Sequence, residues 1–183
     1  MKKTIVGITV VGKDREGIVA EFTSFVFEKG ANVEKVNQNV IKGLFGMYLE
    51  VSFTSKINFK KLDLDLQKLG KKLKMGVSTH SEINLQKNIA LFVTKEPHCL
   101  KEILSARRTL RGKISVIVGT KKTLGSLAKK AKIPFVIVDE RNQEKAEEKL
   151  LKVCKKFEVD LIVLARYMRI LTPNFVWRYP NRI

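Results

Sequence analysis

His98 and Cys99 sit side by side in VTKEPHCL (93–100), and an imidazole beside a thiol is the pairing that activates a nucleophile. Their spacing argues against it. The stretch follows an apolar run and passes through Pro97, so both residues fall at a helix start, where adjacent side chains point apart. A packed helix start with Cys99 as a small apolar residue fits better. A second stretch, KDREG (13–17), places Gly17 at a helix N-terminus, where unpaired backbone N–H groups favour a carboxylate or another anion. The same residues, Asp14, Arg15, Glu16 and Gly17, also read as a plain strand-to-helix turn capped by Asp14. KGAN (29–32) adds a helix terminator in Gly30 and a turn residue in Asn32. The third stretch is LARYMRILTPNFVWRYPNRI (164–183). Its start reads as a strand exit, the place where open α/β sheets bind ligands. The alternative there is a buried exit with Arg169 paired to a carboxylate. Thr172 reads as an N-cap, Pro173 as the first helical residue and Pro180 as the stop. Asn181, Arg182 and Ile183 then read as a first step into another strand.

The elements that must position these residues show two rhythms. In the first half, a β-branched run at Ile5–Val11 precedes a helix marked by Ile18, Phe22, Phe25 and Val26. Val33–Ile41 and Met47–Phe53 form a hairpin around KGLFG, with Met47, Leu49, Val51 and Phe53 alternating. Leu62, Leu66, Leu69 and Leu73 define a second helix, and Val77–Ile83 a last strand. This βαββαβ order gives the ferredoxin-like plan, an antiparallel sheet with two helices on one face. In the second half, strands at Ile89–Val93, Ile114–Val118, Phe135–Val138 and Leu161–Ala165 alternate with helices from about Pro97, from Leu124 and over Glu144–Phe157. Strands apolar on both faces and separated by helices predict a covered parallel sheet. The boundary falls near Asn84–Lys87, dividing the chain into 1–84 and 88–183.

Composition narrows the classes. The chain has 183 residues and a net charge of +18, from 36 basic and 18 acidic side chains. No apolar run approaches the roughly 20 residues of a membrane span. The N-terminal apolar run ends in a charged turn, not a small-residue cleavage site, so it reads as a strand and not as a signal peptide. Cys99 and Cys154 lack metal-ligand spacing and read as reduced thiols of a cytoplasmic protein. Lysines occur as pairs on helix-like stretches without interleaved aromatics, which disfavours specific nucleic-acid binding. A polyanionic small substrate gains from the same field.

DREGIVAEFTSFVFEKGANV (14–33), followed by a hairpin, resembles an ACT domain, a regulatory module that commonly binds amino acids, often between two copies. The resemblance implies an amino-acid effector at Asp14, Arg15, Glu16 and Gly17, with Asn32 nearby. VTKEPHCL, IPFVIVD (133–139) and LARYMRILTPNFVWRYPNRI together resemble the formyltetrahydrofolate deformylase family. That resemblance implies an N-terminal ACT domain followed by an incomplete Rossmann-like formyltransferase domain, and hydrolysis of 10-formyltetrahydrofolate to formate and tetrahydrofolate with no further cofactor. In the related glycinamide ribonucleotide formyltransferase the first turn is glycine-rich and holds phosphate; VTKEPHCL fits a hydrolase whose acceptor is water. Met168, Arg169, Ile170 and Leu171 are implied as the pterin-side wall and backbone hydrogen-bond partners. The family's catalytic Asn-x-His pair and Asp follow the PNRI word and match nothing in this sequence. The expectations are therefore a C-terminally truncated member, inactive alone, whose Leu161–Ala165 strand is left at an edge that invites oligomerisation or poor solubility. The rival expectation is an amino-acid-sensing ACT module with a vestigial second domain.

Overall fold

The structure, a computed structural model, describes residues 3–81, 86–139 and 141–183. It packs as two compact units, Met1–Asn84 with Thr172–Pro180, and Leu85–Leu171 with Asn181–Ile183. The sequence division is sequential, whereas the packing is interleaved: Thr172–Pro180 folds with the first unit. The expected strand end at Ile83 and the boundary at Asn84 and Leu85 lie outside the described residues.

The first unit runs β1 (Thr4–Lys13), α1 (Ile18–Glu28), β2 (Asn32–Ile41), β3 (Leu44–Phe53), α2 (Phe59–Leu73) and β4 (Gly76–Ser81). The sheet order is β2-β3-β1-β4 with every pair antiparallel. This is the expected ferredoxin-like plan. Alternation explains its core: Val6, Ile8 and Val10 of β1 and Met47, Leu49 and Val51 of β3 face the helices and are fully buried. Helix α1 meets them with Ile18, Phe22 and Val26, spaced one turn apart. Gly30, with φ of 76°, ends that helix, and Ala31 N–H reaches back to the Val26 carbonyl at 3.1 Å. The hairpin is tighter than expected. Lys42 and Gly43 form a two-residue turn with φ of 51° and 77°, so Leu44 and Phe45 already belong to β3.

The sheet's other face is also dry. Thr9, Val11, Tyr48 and Ser52 are buried although they point away from the helices. Residues 172–180 belong to this unit, with helix α6 (Pro173–Val176) inside them. Phe175 is fully buried and stacks on Tyr179 at 5.7 Å. The Trp177 indole occupies the space a Cβ would need at Gly46, and the Arg178 guanidinium comes within 2.7 Å of a Cβ built at Gly76. Helix α6 ends at Val176, short of the expected stop at Pro180, and Thr172 caps it through its backbone carbonyl, not its hydroxyl.

The second unit runs β5 (Lys87–Val93), α3 (His98–Ser105), β6 (Gly112–Gly119), α4 (Gly125–Lys130), β7 (Phe135–Ile137), α5 (Gln143–Lys156) and β8 (Leu161–Ala165). The sheet order is β7-β6-β5-β8 and all pairs are parallel. The chain steps outward from β5 to β7 and then returns to the far side of β5. A topological switch point therefore lies between β5 and β8. Ile162 N–H of β8 donates to the Arg182 carbonyl at 2.8 Å, which ties 181–183 to this strand.

Gly46→Val tests the packing of Trp177, the chain's single tryptophan. The added methyl groups overlap the indole, and overpacking of this kind costs about 1–3 kcal/mol. A lower melting temperature with red-shifted emission is expected; unchanged emission and stability would show that the indole does not sit there.

Candidate functional site

The switch point gathers four loop starts from the carboxyl ends of the strands. Thr94 follows β5, Lys121 follows β6, Asp139 follows β7, and Arg166–Leu171 follow β8. Arg166 takes a left-handed φ of 58° that turns the chain as it leaves β8. Tyr167 then folds inward, its ring 5.3 Å from that of Phe92. Burial pushes its phenol pKa up, against a smaller opposing pull from Arg169.

The next four residues form a strip held by its backbone. Met168 N–H donates to Thr94 Oγ1 at 3.1 Å. The Ile170 carbonyl accepts from Gln143 Nε2 at 2.6 Å. Gln143 also donates to Oε1 of Glu147 at 2.8 Å, and Glu147 is buried. Asn142 caps α5 by accepting from Lys145 N–H at 3.0 Å, which fixes Gln143 as the first helical residue. Arg169 Nη2 lies 3.4 Å from Asp139 Oδ1, while Lys121 Nζ lies 3.1 Å from Asp139 Oδ2. The side chains between these tethers face outward: Met168 is 68% exposed and Ile170 88%. Leu171 is half-buried. The result is an apolar surface with a fixed backbone at the sheet's carboxyl edge, suited to the flat face of a ring system and to hydrogen bonds along its rim.

Two expectations for this region meet. Arg169 does pair with a carboxylate, yet the strip that carries it is exposed, not a buried strand exit. Sequence reading missed Thr94, Lys121, Gln143 and Glu147, and gave Asp139 no role. One signal was available: Glu147 lies four residues after Gln143, on the same helix face as the apolar Leu150 and Cys154.

The β5–α3 turn has no glycine, and a Lys95–Glu96 pair at 3.9 Å occupies it. His98 is exposed at the start of α3, and Cys99 is half-buried against the core of the second unit. His80 lies in β4 and stacks on Tyr48 at 5.9 Å. Among the described residues no group of three His, Cys, Asp or Glu side chains could hold a metal ion.

In the first unit, Asp14, Arg15, Glu16 and Gly17 form an exposed loop. Gly17 is itself the N-cap, with φ of 82° and no side-chain cap bond, so Asp14 does not cap α1. The positive φ is what requires glycine there. Asp14 N–H instead donates to the Gly43 carbonyl at 2.9 Å, tying the loop to the hairpin turn. Asn32 is not nearby. It pairs with Ser52, which pairs with Ile5 at the start of β1, while the loop follows Lys13 at its end. Eight residues of extended strand separate the two levels, roughly 26 Å at about 3.3 Å per residue. Asn32 bonds Glu34, whose carboxyl is held down at about 2 by the Ser52 hydroxyl first, then by Lys3 and Asn32.

Comparison with known proteins covers both units. The formyl transferase family model matches residues 87–183, and the ACT domain model matches residues 4–80. The formyltetrahydrofolate deformylase of Bacillus subtilis (strain 168) is 36% identical over 178 residues, covering 93% of this chain and 59% of that protein. The protein of the same name from Haemophilus influenzae is 31% identical over 176 residues, covering 93% of this chain and 62% of its own length. A formyltetrahydrofolate deformylase crystal structure from Pseudomonas putida KT2440 shares the fold with a TM-score of 0.56 at 23% identity, covering 95% of this chain and 64% of that one. The chain spans about three fifths of the length of the curated relatives it matches.

Gln143→Ala removes the tether on the Ile170 carbonyl and one partner of the buried Glu147. A loss of about 1–2 kcal/mol in stability is expected, with faster amide exchange over 168–171. Unchanged exchange there would mean that Gln143 does not hold the strip.

Proposed function

The chain belongs to the formyl transferase family, and from that membership we propose that it supplies the folate-binding wall and the regulatory ACT domain for hydrolysis of 10-formyltetrahydrofolate to formate and tetrahydrofolate. The observation that carries this reading is the strip at the switch point, pinned through Thr94 and Gln143 while Met168 and Ile170 stay exposed. Met168 and Ile170 would pack on the pteridine face, and backbone groups at Arg169 and Leu171 would meet its polar edge. A net charge of +18 suits a substrate that carries carboxylates.

Water attack on a formyl group needs a polarised carbonyl and a base for the proton. The family's Asn-x-His pair and Asp for those tasks match no residue of 1–183. Residues 1–183 alone therefore bind folate but release no formate. The setting is the cytoplasm, and the product serves one-carbon and purine metabolism.

The separation of Asn32 from the Asp14–Gly17 loop adds a constraint. One amino acid cannot bridge roughly 26 Å, so an effector site built from both sets takes its loop from one copy and its Asn32 from a second. The chain is then a homo-oligomer. Sedimentation at high concentration is expected to show association, and a clean monomer would remove the shared site. The second reading, an amino-acid sensor with a vestigial second domain, draws on the complete four-stranded first sheet; amino-acid binding without folate binding would establish it.

Ile170→Asp puts a charge on the wall. Equilibrium binding of a reduced folate to 1–183 should weaken about tenfold or more, equal to about 1.4 kcal/mol. Unaltered affinity would take Ile170 out of the site, and robust formate production by the unmodified chain would overturn the claim of inactivity.

A further inference from the structure

We propose that the first unit holds a second small-molecule site, for a short aliphatic carboxylate, in a cavity between the ends of α1 and β3 and the start of α2. The cavity measures about 190 Å³. Its apolar wall is Phe53, Leu62 and the half-buried Ile57. Its polar rim is Lys29, Lys61 and Asp65, with Asn58 at the corner.

Charge sets the ligand's sign. Lys29 Nζ donates to Asp65 Oδ2 at 3.1 Å, which neutralises that carboxylate and holds its pKa low. Lys61 stands exposed beside the pair. Helix α2 begins here with no acidic side chain in its first turn; Asn58 caps it by accepting from Lys61 N–H at 3.1 Å, which leaves the other first-turn N–H groups as its positive end, while Lys29 faces the carboxyl end of α1 at the same cavity. Volume sets the ligand's size. The cavity is below the roughly 300–1,000 Å³ of pockets for drug-sized ligands, so it takes a small molecule such as a six-carbon branched acid, with its tail against Phe53 and Leu62 and its carboxylate at Lys61. The cavity lies at the sheet end where β3 stops, opposite the Asp14–Gly17 loop, so the two sites are separate.

The test is calorimetric titration of the full chain with 4-methylpentanoate. Saturable binding is expected, weakened about tenfold or more, equal to about 1.4 kcal/mol, by Lys61→Glu. Lys145→Glu, an equal charge change in the second unit, should leave it intact. Acetate, which lacks the tail, and 4-methylpentan-1-ol, which lacks the charge, should both bind more weakly. Leucine separates the two sources of such a carboxylate. Tighter binding than the simple acid, lost in Asp65→Asn, identifies an amino acid; weaker binding identifies an unsubstituted acid. Either result sustains the site. No binding, equal binding of acetate or of the alcohol, or equal weakening by Lys145→Glu overturns it.

Discussion

Strand β5 must be dry on both faces, and the second unit is arranged around that requirement. Ala90, Leu91, Phe92 and Val93 expose nothing, so their backbone groups have to be paired within the sheet. β6 satisfies one edge and β8 the other. The register of β8 is pinned at its start. Asn88 N–H donates to Asp160 Oδ2 at 2.8 Å, Asp160 N–H returns to the Asn88 carbonyl at 2.8 Å, and Asn88 Nδ2 reaches the Glu158 carbonyl. With that end fixed, Ala165 pairs with Val93, and the residues after each strand emerge side by side. The contact between Met168 and Thr94 is a consequence of register set at Asn88 and Asp160, six and eight residues earlier. A slip of one residue would turn every β8 side chain to the other face and carry the strip away from its partners.

The first unit obeys a different constraint. Its sheet has to accept bulk on the face away from the helices, and glycine makes that possible. Gly46 and Gly76 lie in strand positions where a side chain would collide with Trp177 and Arg178. Glycine in a strand interior weakens the strand and marks close approach of another group. Here the approaching group belongs to residues 172–180, which follow the strip directly in the chain.

These two constraints explain what was legible in the sequence. The apolar strands of the second unit are legible: Leu161–Ala165 has its expected bounds, because five apolar residues are bracketed by the charged Asp160 and Arg166, although Leu164 is exposed in the structure. The position of residues 168–171 at a strand exit was legible, but their tethers were not. Gln143 and Thr94 reach it from elements distant in sequence. The level of Asn32 was hidden for the same reason. It depends on the pairing of β2 with β3, including the irregularity between Val33 and Lys35, and no local pattern encodes that. The tight hairpin at Lys42–Gly43 was missed because a left-handed lysine before glycine is uncommon.

The strip's tethers are unequal. Asp139 is 47% exposed and serves two cations, so its pairs with Lys121 and Arg169 are screened and contribute little to holding the loop. The bond from Gln143 to the Ile170 carbonyl is short and is anchored by the buried Glu147. The backbone position therefore rests on neutral hydrogen bonds, while the contact of Arg169 with Asp139 is a screened one. Loss of the Arg169–Asp139 contact would therefore leave Met168 and Ile170 in place. That division fixes the apolar surface of Met168 and Ile170 independently of the cation between them.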